Sequence, residues 1–167
     1  MLIDPAFEAL VSQLNPAIEA SMDPVCILDS RARIVYANKG MQVFLATTRR
    51  ALVKGVKFCE LIKLSVCAKE CQIEAALKAG TEFHLSETPA ARKGEKLRIS
   101  IKMSGIVPNG NGSEGAVLSL RDTTAEILLH AKYHKSMSLL EESREKLTDT
   151  EDRLSALRRS LRHAVSR

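Results

Sequence analysis

Three of the four cysteines in this 167-residue chain fall in one stretch, GVKFCELIKLSVCAKECQIEAAL, from Gly55 to Leu77. They are Cys59, Cys67 and Cys71, spaced Cys-x7-Cys-x3-Cys. Thiolates ligate iron–sulfur clusters and structural zinc. Residues four apart on a helix share one face, about 6 Å apart along the axis. A helix starting at Leu61 or later and running to Gly80 points Cys67 and Cys71 to one centre, with Cys59 arriving from the preceding loop. Three thiolates suit a three-iron cluster (3Fe-4S), or a four-iron cluster (4Fe-4S) that takes its fourth ligand elsewhere. Cys26 and His84 are the candidates for that position. Zinc ranks lower, because the tight Cys-x2-Cys knuckle of structural zinc is missing. A thiol redox switch and a plain structural role compete with both. Buried cysteine behaves as a small apolar residue, which accounts well for Cys26 between Val25 and Ile27.

Other reactive side chains say less. His130 and His134 stand four apart, as a metal pair would, and equally as two residues of a solvated helix face. His163, in RRSLRHAV, lacks the acidic neighbour and the downstream nucleotide-binding domain of a histidine kinase. No glycine-rich phosphate loop or catalytic triad is visible, so no enzymatic activity is expected.

Composition frames these sites. Hydrophobic content of 45% with 27% charged residues is that of a globular chain. No apolar run approaches the roughly 18 residues of a membrane span, and the N-terminus lacks a secretory layout. The expected address is the cytoplasm, where thiols stay reduced, so clustered cysteines point to metal or redox chemistry before disulfides. The net charge of +5 is uneven: Arg153, Arg158, Arg159, Arg162 and Arg167 sit near the end without an acid among them. Such a tail suits nucleic acid or an acidic partner, but it also suits the dipole of a helix C-terminus. With no aromatic or motif beside the charges, nucleic acid is not the expected partner.

The elements that must position the cysteines follow from periodicity. Asp4-Pro5 opens an amphipathic helix (Phe7, Leu10, Val11, Leu14, Ile18) interrupted near Asn15-Pro16. VCILD and RIVYA form a hairpin, and Asn38 starts a helix to about Ala46. A short helical piece from Arg49 to Val53 ends at Gly55, ahead of the cysteine segment. Three more strands follow: TEFHLSE, KLRISIKMSGIV and AVLSLRD, joined by the loops PAARKGE and PNGNGSEG. Two strands, several helices and three strands make an α+β pattern with an antiparallel sheet. Tyr133, Leu140, Leu147, Leu154 and Leu161 then recur every seven residues, with Ser136, Ser143, Thr150, Leu157 and Ala164 three residues after each. This is a heptad seam with a polar first half, expected to pair as a parallel two-stranded coiled coil. An antiparallel return of the helix onto its own domain is the alternative.

DPVCILDSRARIVYANKGMQVFL resembles the opening of a PAS domain, and GAVLSLRDTTAE resembles its close. The resemblance covers about residues 18–125, with Asp29, Ile34, Asn38, Gly55, Gly80 and Asp122-Thr123-Thr124 in order. Ala32 departs from it, at a turn position where the family usually has glycine. It implies a five-stranded antiparallel sheet with helices on one face, a dimerising N-terminal helix (residues 1–17) and a signalling helix (residues 126–167) with a basic end. Asp122, Thr123 and Thr124 would form the junction between sheet and helix. The family's haem ligand is absent, since no histidine precedes His84, and GVKFCEL lacks the Asn, Arg and Gln of the flavin-adduct motif. A cysteine upstream of a Cys-x3-Cys pair also occurs in PAS domains of bacterial activators and kinases. The expected protein is therefore a homodimeric cytoplasmic sensor of redox state or a diatomic gas. It reads its signal through an iron–sulfur cluster and passes it to a kinase or transcriptional regulator. A cofactor-free PAS dimerisation scaffold and a small-metabolite-binding PAS are the alternatives.

Overall fold

The computed structural model describes residues 5–68, 70–106 and 115–165, with side chains through 159. The predicted cap Asp4, the loop residues 107–114 and the side chains of Leu161 and Ala164 lie outside the described residues. The chain divides into two units, residues 1–124 and 125–167.

The first unit is an antiparallel six-stranded sheet in the order β2-β1-β6-β5-β4-β3. Its strands are β1 (Val25–Asp29), β2 (Ile34–Ala37), β3 (Lys63–Leu64), β4 (Phe83–Arg92), β5 (Glu95–Ile106) and β6 (Gly115–Asp122). Between β2 and β4 lie α2 (Lys39–Phe44), α3 (Arg49–Leu52), α4 (Phe58–Leu61) and α5 (Gln72–Ala79). Alternation along the strands sends Cys26, Leu28, Ile99, Ile101, Met103 and Leu118 into one core with Met41, Phe58, Ile62 and Ile73.

The opposite face is covered by α1 (Pro5–Glu19), whose Phe7 and Ile18 pack with Val25, Ile27, Tyr36 and Ile106. The helix runs unbroken through Pro16, contrary to the predicted interruption. Packing against the sheet and the bond from Tyr36 Oη to Glu19 Oε2 (2.9 Å) hold the last turn in place beyond the proline.

Two further differences come from the sheet margin. The predicted loop PAARKGE is mostly strand: β4 continues to Arg92, and Lys93 (φ 47°) and Gly94 (φ 87°) alone make the turn to β5. A sixth strand, β3, was not foreseen. Leu64 is buried and pairs with Ala90, so the short apolar run IKL is captured by the edge of β4 instead of starting a helix.

Ala32 takes the left-handed conformation (φ 58°) that glycine would favour. Asp29 holds that turn, its Oδ1 accepting from the Arg31 and Arg33 amides, both at 2.9 Å. Left-handed strain costs an alanine about 1–2 kcal/mol, but its methyl is buried, worth about 0.8 kcal/mol. Glycine also adds unfolded-state entropy of about 0.5–1 kcal/mol. The terms offset, so Ala32→Gly should shift urea stability by less than about 1 kcal/mol.

Gly115 is tighter. A Cβ there would lie 2.6 Å from Cζ of Phe7 and closer still to the Leu28 carbonyl oxygen. Leu28 is fixed by pairing with Ala116, so Gly115→Ala should cost about 3 kcal/mol in chemical denaturation, the upper end for overpacking.

The second unit is one helix, α6, whose assigned range Thr124–Val165 begins at the last residue of the first unit. The predicted seam is exposed: Leu140 by 64%, Leu147 by 63% and Leu154 by 57%, with Tyr133 and Leu157 similarly open. Two of the polar seam residues satisfy their own hydroxyls, Ser143 on the Leu139 carbonyl (2.8 Å) and Thr150 on the Leu147 carbonyl (2.7 Å). Burying them against another helix therefore strands no donor.

Candidate metal centre and signalling junction

The three thiols come from three successive elements. Cys59 is in α4, Cys67 ends a 3-10 turn (Ser65–Cys67), and Cys71 is the N-cap residue of α5. The predicted single helix carrying Cys67 and Cys71 on one face does not form. Pairing of β3 with β4 draws the chain out, and α5 starts only at Gln72. The turn and cap nevertheless return the side chains to one point. One sulfur from each of the three lies within 4.8 Å of the others, and Cys59 Sγ is 2.7 Å from Cys71 Sγ.

All three are half-buried and pack on the main core. Burial pushes the Cys59 thiol up, reinforced by the hydrogen bond and charge of Cys71 and then by Cys67. Gathering thiolates is thus unfavourable by itself, and a cation among them would offset their repulsion. Lys57 and Lys78 bind Glu74 at 3.1 and 3.3 Å, which fastens the residue before α4 to the first turn of α5. These bonds hold the Glu74 carboxyl below its usual range, Lys57 contributing most.

Neither candidate for a fourth ligand joins the group. His84 is exposed on β4, and its neighbours Phe83 and Leu85 face the core with the thiols, so its ring is on the other side of the sheet. Cys26 is wholly buried in β1, where desolvation raises its thiol far above the usual range. Among the described residues three thiols converge, the number that a three-iron cluster takes, or a four-iron cluster with one further ligand. His130 and His134 sit edge-to-face at 4.7 Å on α6, with no third metal-ligating group beside them among the described residues.

Two polar centres organise the rest of the domain. Asn38, fully buried, caps α2 and does much more. Its Oδ1 accepts from Met41 N (2.8 Å) and Val25 N (3.0 Å). Its Nδ2 donates to the carbonyls of Ile18 (3.1 Å), Ser21 (3.2 Å) and Asp23 (2.9 Å). Two strands away from β1 in the sheet, Arg98 of β5 anchors the junction through its backbone. Its carbonyl accepts from Thr123 N (2.8 Å), Thr123 Oγ1 (3.1 Å) and Thr124 Oγ1 (3.3 Å). Its amide donates to Thr124 Oγ1 (2.8 Å), and Asp122 Oδ1 accepts from Thr124 N (2.9 Å). The predicted junction residues are therefore gathered on Arg98, which nothing in the sequence singles out.

The family model of the PAS domain matches residues 22–125, more than half of the chain. The chain belongs to the PAS domain family. No curated protein matches it. Among solved structures, the PAS domain of the fruit-fly ELK potassium channel is 18% identical, with 68% of this chain and 97% of that one covered and a TM-score of 0.57. The LOV protein of Rhodobacter sphaeroides is 14% identical over 69% of this chain and 67% of its own, with a TM-score of 0.58. The PAS domain of nitrogen regulation protein NR(II) from Vibrio parahaemolyticus is 16% identical over 64% and 94%, with a TM-score of 0.50. At these identities the likeness is one of fold. The PAS sheet here carries one strand beyond the five expected, β3, which lies next to the thiols.

Proposed function

We propose that this PAS domain is a non-enzymatic sensor whose input is the thiol triad and whose output is α6. The observation that carries the reading is the convergence of Cys59, Cys67 and Cys71 within 4.8 Å from three separate elements. The donor set suits an iron–sulfur cluster, which supplies a centre responsive to redox state or a diatomic gas. The rest is done by the chain itself. Cys71 is the residue from which α5 starts, so a change in thiol positions moves the start of that helix against the core. The turn carrying Cys67 follows β3, which pairs with β4; β4 pairs with β5, and β5 holds the junction through Arg98. The exposed leucines of α6 pair with those of a second copy in a parallel coiled coil. The partner is a kinase or transcriptional regulator, and the address is the cytoplasm; no described helix is long and apolar enough to cross a membrane.

One observation favours a second reading of the same site. A single tetrahedral ion with metal–sulfur bonds of about 2.3 Å holds its sulfurs roughly 3.8 Å apart, between the 2.7 Å of Cys59 and Cys71 and the 4.8 Å within which all three lie. A cluster spreads its thiolates over separate irons and needs them wider. Zinc thus gains on the expectation from spacing alone. Flavin stays behind both, because α4 offers Cys59 without the Asn, Arg and Gln of the adduct motif. Anaerobic purification, an absorption spectrum and analysis for iron, sulfide and zinc separate the cases. Broad absorption near ~400 nm with iron and sulfide supports the cluster. Colourless protein with one zinc per chain supports the single ion. Protein without metal even after reconstitution overturns both and leaves a cofactor-free dimerisation scaffold.

A further inference from the structure

A groove of about 710 Å³ lies at the β3 edge of the sheet, within the size range of ligand sites. Cross-strand register arranges its cations. Lys63 pairs with Ala91, and Ala91 with Lys96, so these three form one row across β3, β4 and β5. Pro89 and Arg98 form the next row on the same face. Lys63 and Lys96 are therefore roughly 10 Å apart, with Arg98 about 7 Å along the strand from Lys96. Between them lie the small apolar side chains of Pro89 and Ala91. Among the described residues no acidic side chain lines the groove. Among the described residues neither lysine has a carboxylate partner, and the Arg98 guanidinium is bonded to the Glu87 carbonyl (3.1 Å), not to an acid. Three like charges left facing one another raise the energy of the empty groove, and an anion lowers it.

The same lining takes in Thr124 and, from the core side of the edge, Cys59 and Cys67. Arg98 thus serves two structures: its side chain borders the groove and its backbone holds Thr123 and Thr124. We propose that the groove binds a small organic anion with an apolar body, such as a medium-chain carboxylate. Its carboxylate sits among Lys63, Lys96 and Arg98, its chain lies over Pro89 and Ala91, and its occupancy tightens the Arg98 junction. This input is independent of the thiols.

Octanoate is the probe, with 1-octanol as the uncharged control, followed by amide NMR at low salt. Octanoate should saturate, with the largest shifts at Ala91, Lys96 and Arg98, and 1-octanol should not. Lys63 and Lys96 are exposed, so the double variant K63Q/K96Q keeps the fold and should bind octanoate about tenfold more weakly. Ala91→Glu sets a carboxylate among the cations and should abolish binding. Exchange of the Thr123 amide should slow with octanoate, and the triple serine variant of Cys59, Cys67 and Cys71 should bind it as the native chain does. Absence of saturable binding overturns the proposal, as does equal affinity for 1-octanol with no effect of K63Q/K96Q. Loss of octanoate binding in the serine variant would return the groove to the thiol site.

Discussion

Serine in place of Cys59, Cys67 and Cys71 together is expected to reduce bound metal from stoichiometric to background while the domain stays folded. A serine hydroxyl keeps the size of the thiol but does not ionise near neutral pH, and it is a hard oxygen donor where thiophilic metals select sulfur. Three such ligands lost at once leave nothing else in the group. The structural cost is small by comparison. All three side chains are half-exposed and, among the described residues, make no hydrogen bonds beyond those among themselves. Substitutions away from special features usually fall within ±0.5 kcal/mol, so the total should stay below about 2 kcal/mol. Metal analysis beside urea denaturation of the metal-free proteins checks both halves. Metal retained by the serine variant would place the centre elsewhere. Collapse of its metal-free form would make the cysteines packing residues.

The largest effect on stability is expected at Asn38. Asn38→Ala removes five hydrogen bonds at a position with no exposure and leaves the amides of Val25 and Met41 without their acceptor. Loss of the α2 cap costs about 1 kcal/mol. Each buried group left unsatisfied adds about 1–3 kcal/mol. Together these suggest about 3–7 kcal/mol, against a typical domain stability of about 5–15 kcal/mol. Thermal or urea unfolding reads this directly; a loss below about 1 kcal/mol would mean water replaces the side chain without penalty.

Asn38→Asp sharpens the test, since it keeps the shape and sets a carboxylate oxygen against the carbonyls of Ile18, Ser21 and Asp23. Burial and those oxygens favour the protonated carboxyl, raising its folded pKa above the unfolded value. The folded state then binds the extra proton between the two values, so the variant should gain stability, relative to the native chain, as pH falls through that window.

The fold was largely written in local pattern. The change from helical period to alternation at Val25, the cap residue Asn38 and the alternating KLRISIKM are signals that neighbouring residues carry by themselves. The heptad leucines of α6 are legible for the same reason. That the thiols belong together was also legible, from count and spacing.

How they come together was not. The sequence supports a helix from Leu61 onward as well as it supports a strand, and the pairing of Leu64 with Ala90 on a distant strand decides between them. That long-range choice moved Cys67 off a helix and added an edge to the sheet. Likewise Asn38 announces a cap, but three of its five bonds go to carbonyls at the end of α1 and before β1, brought near only by folding. Arg98 and the row of Lys63, Ala91 and Lys96 carry no local signal, because their meaning is set by register between strands. The sequence determined the family, the heptad spacing and the reactive residue types, which depend on nearby periodicity and chemistry. The tertiary structure decided which of them meet, because strand pairing and packing join residues that are far apart in the chain.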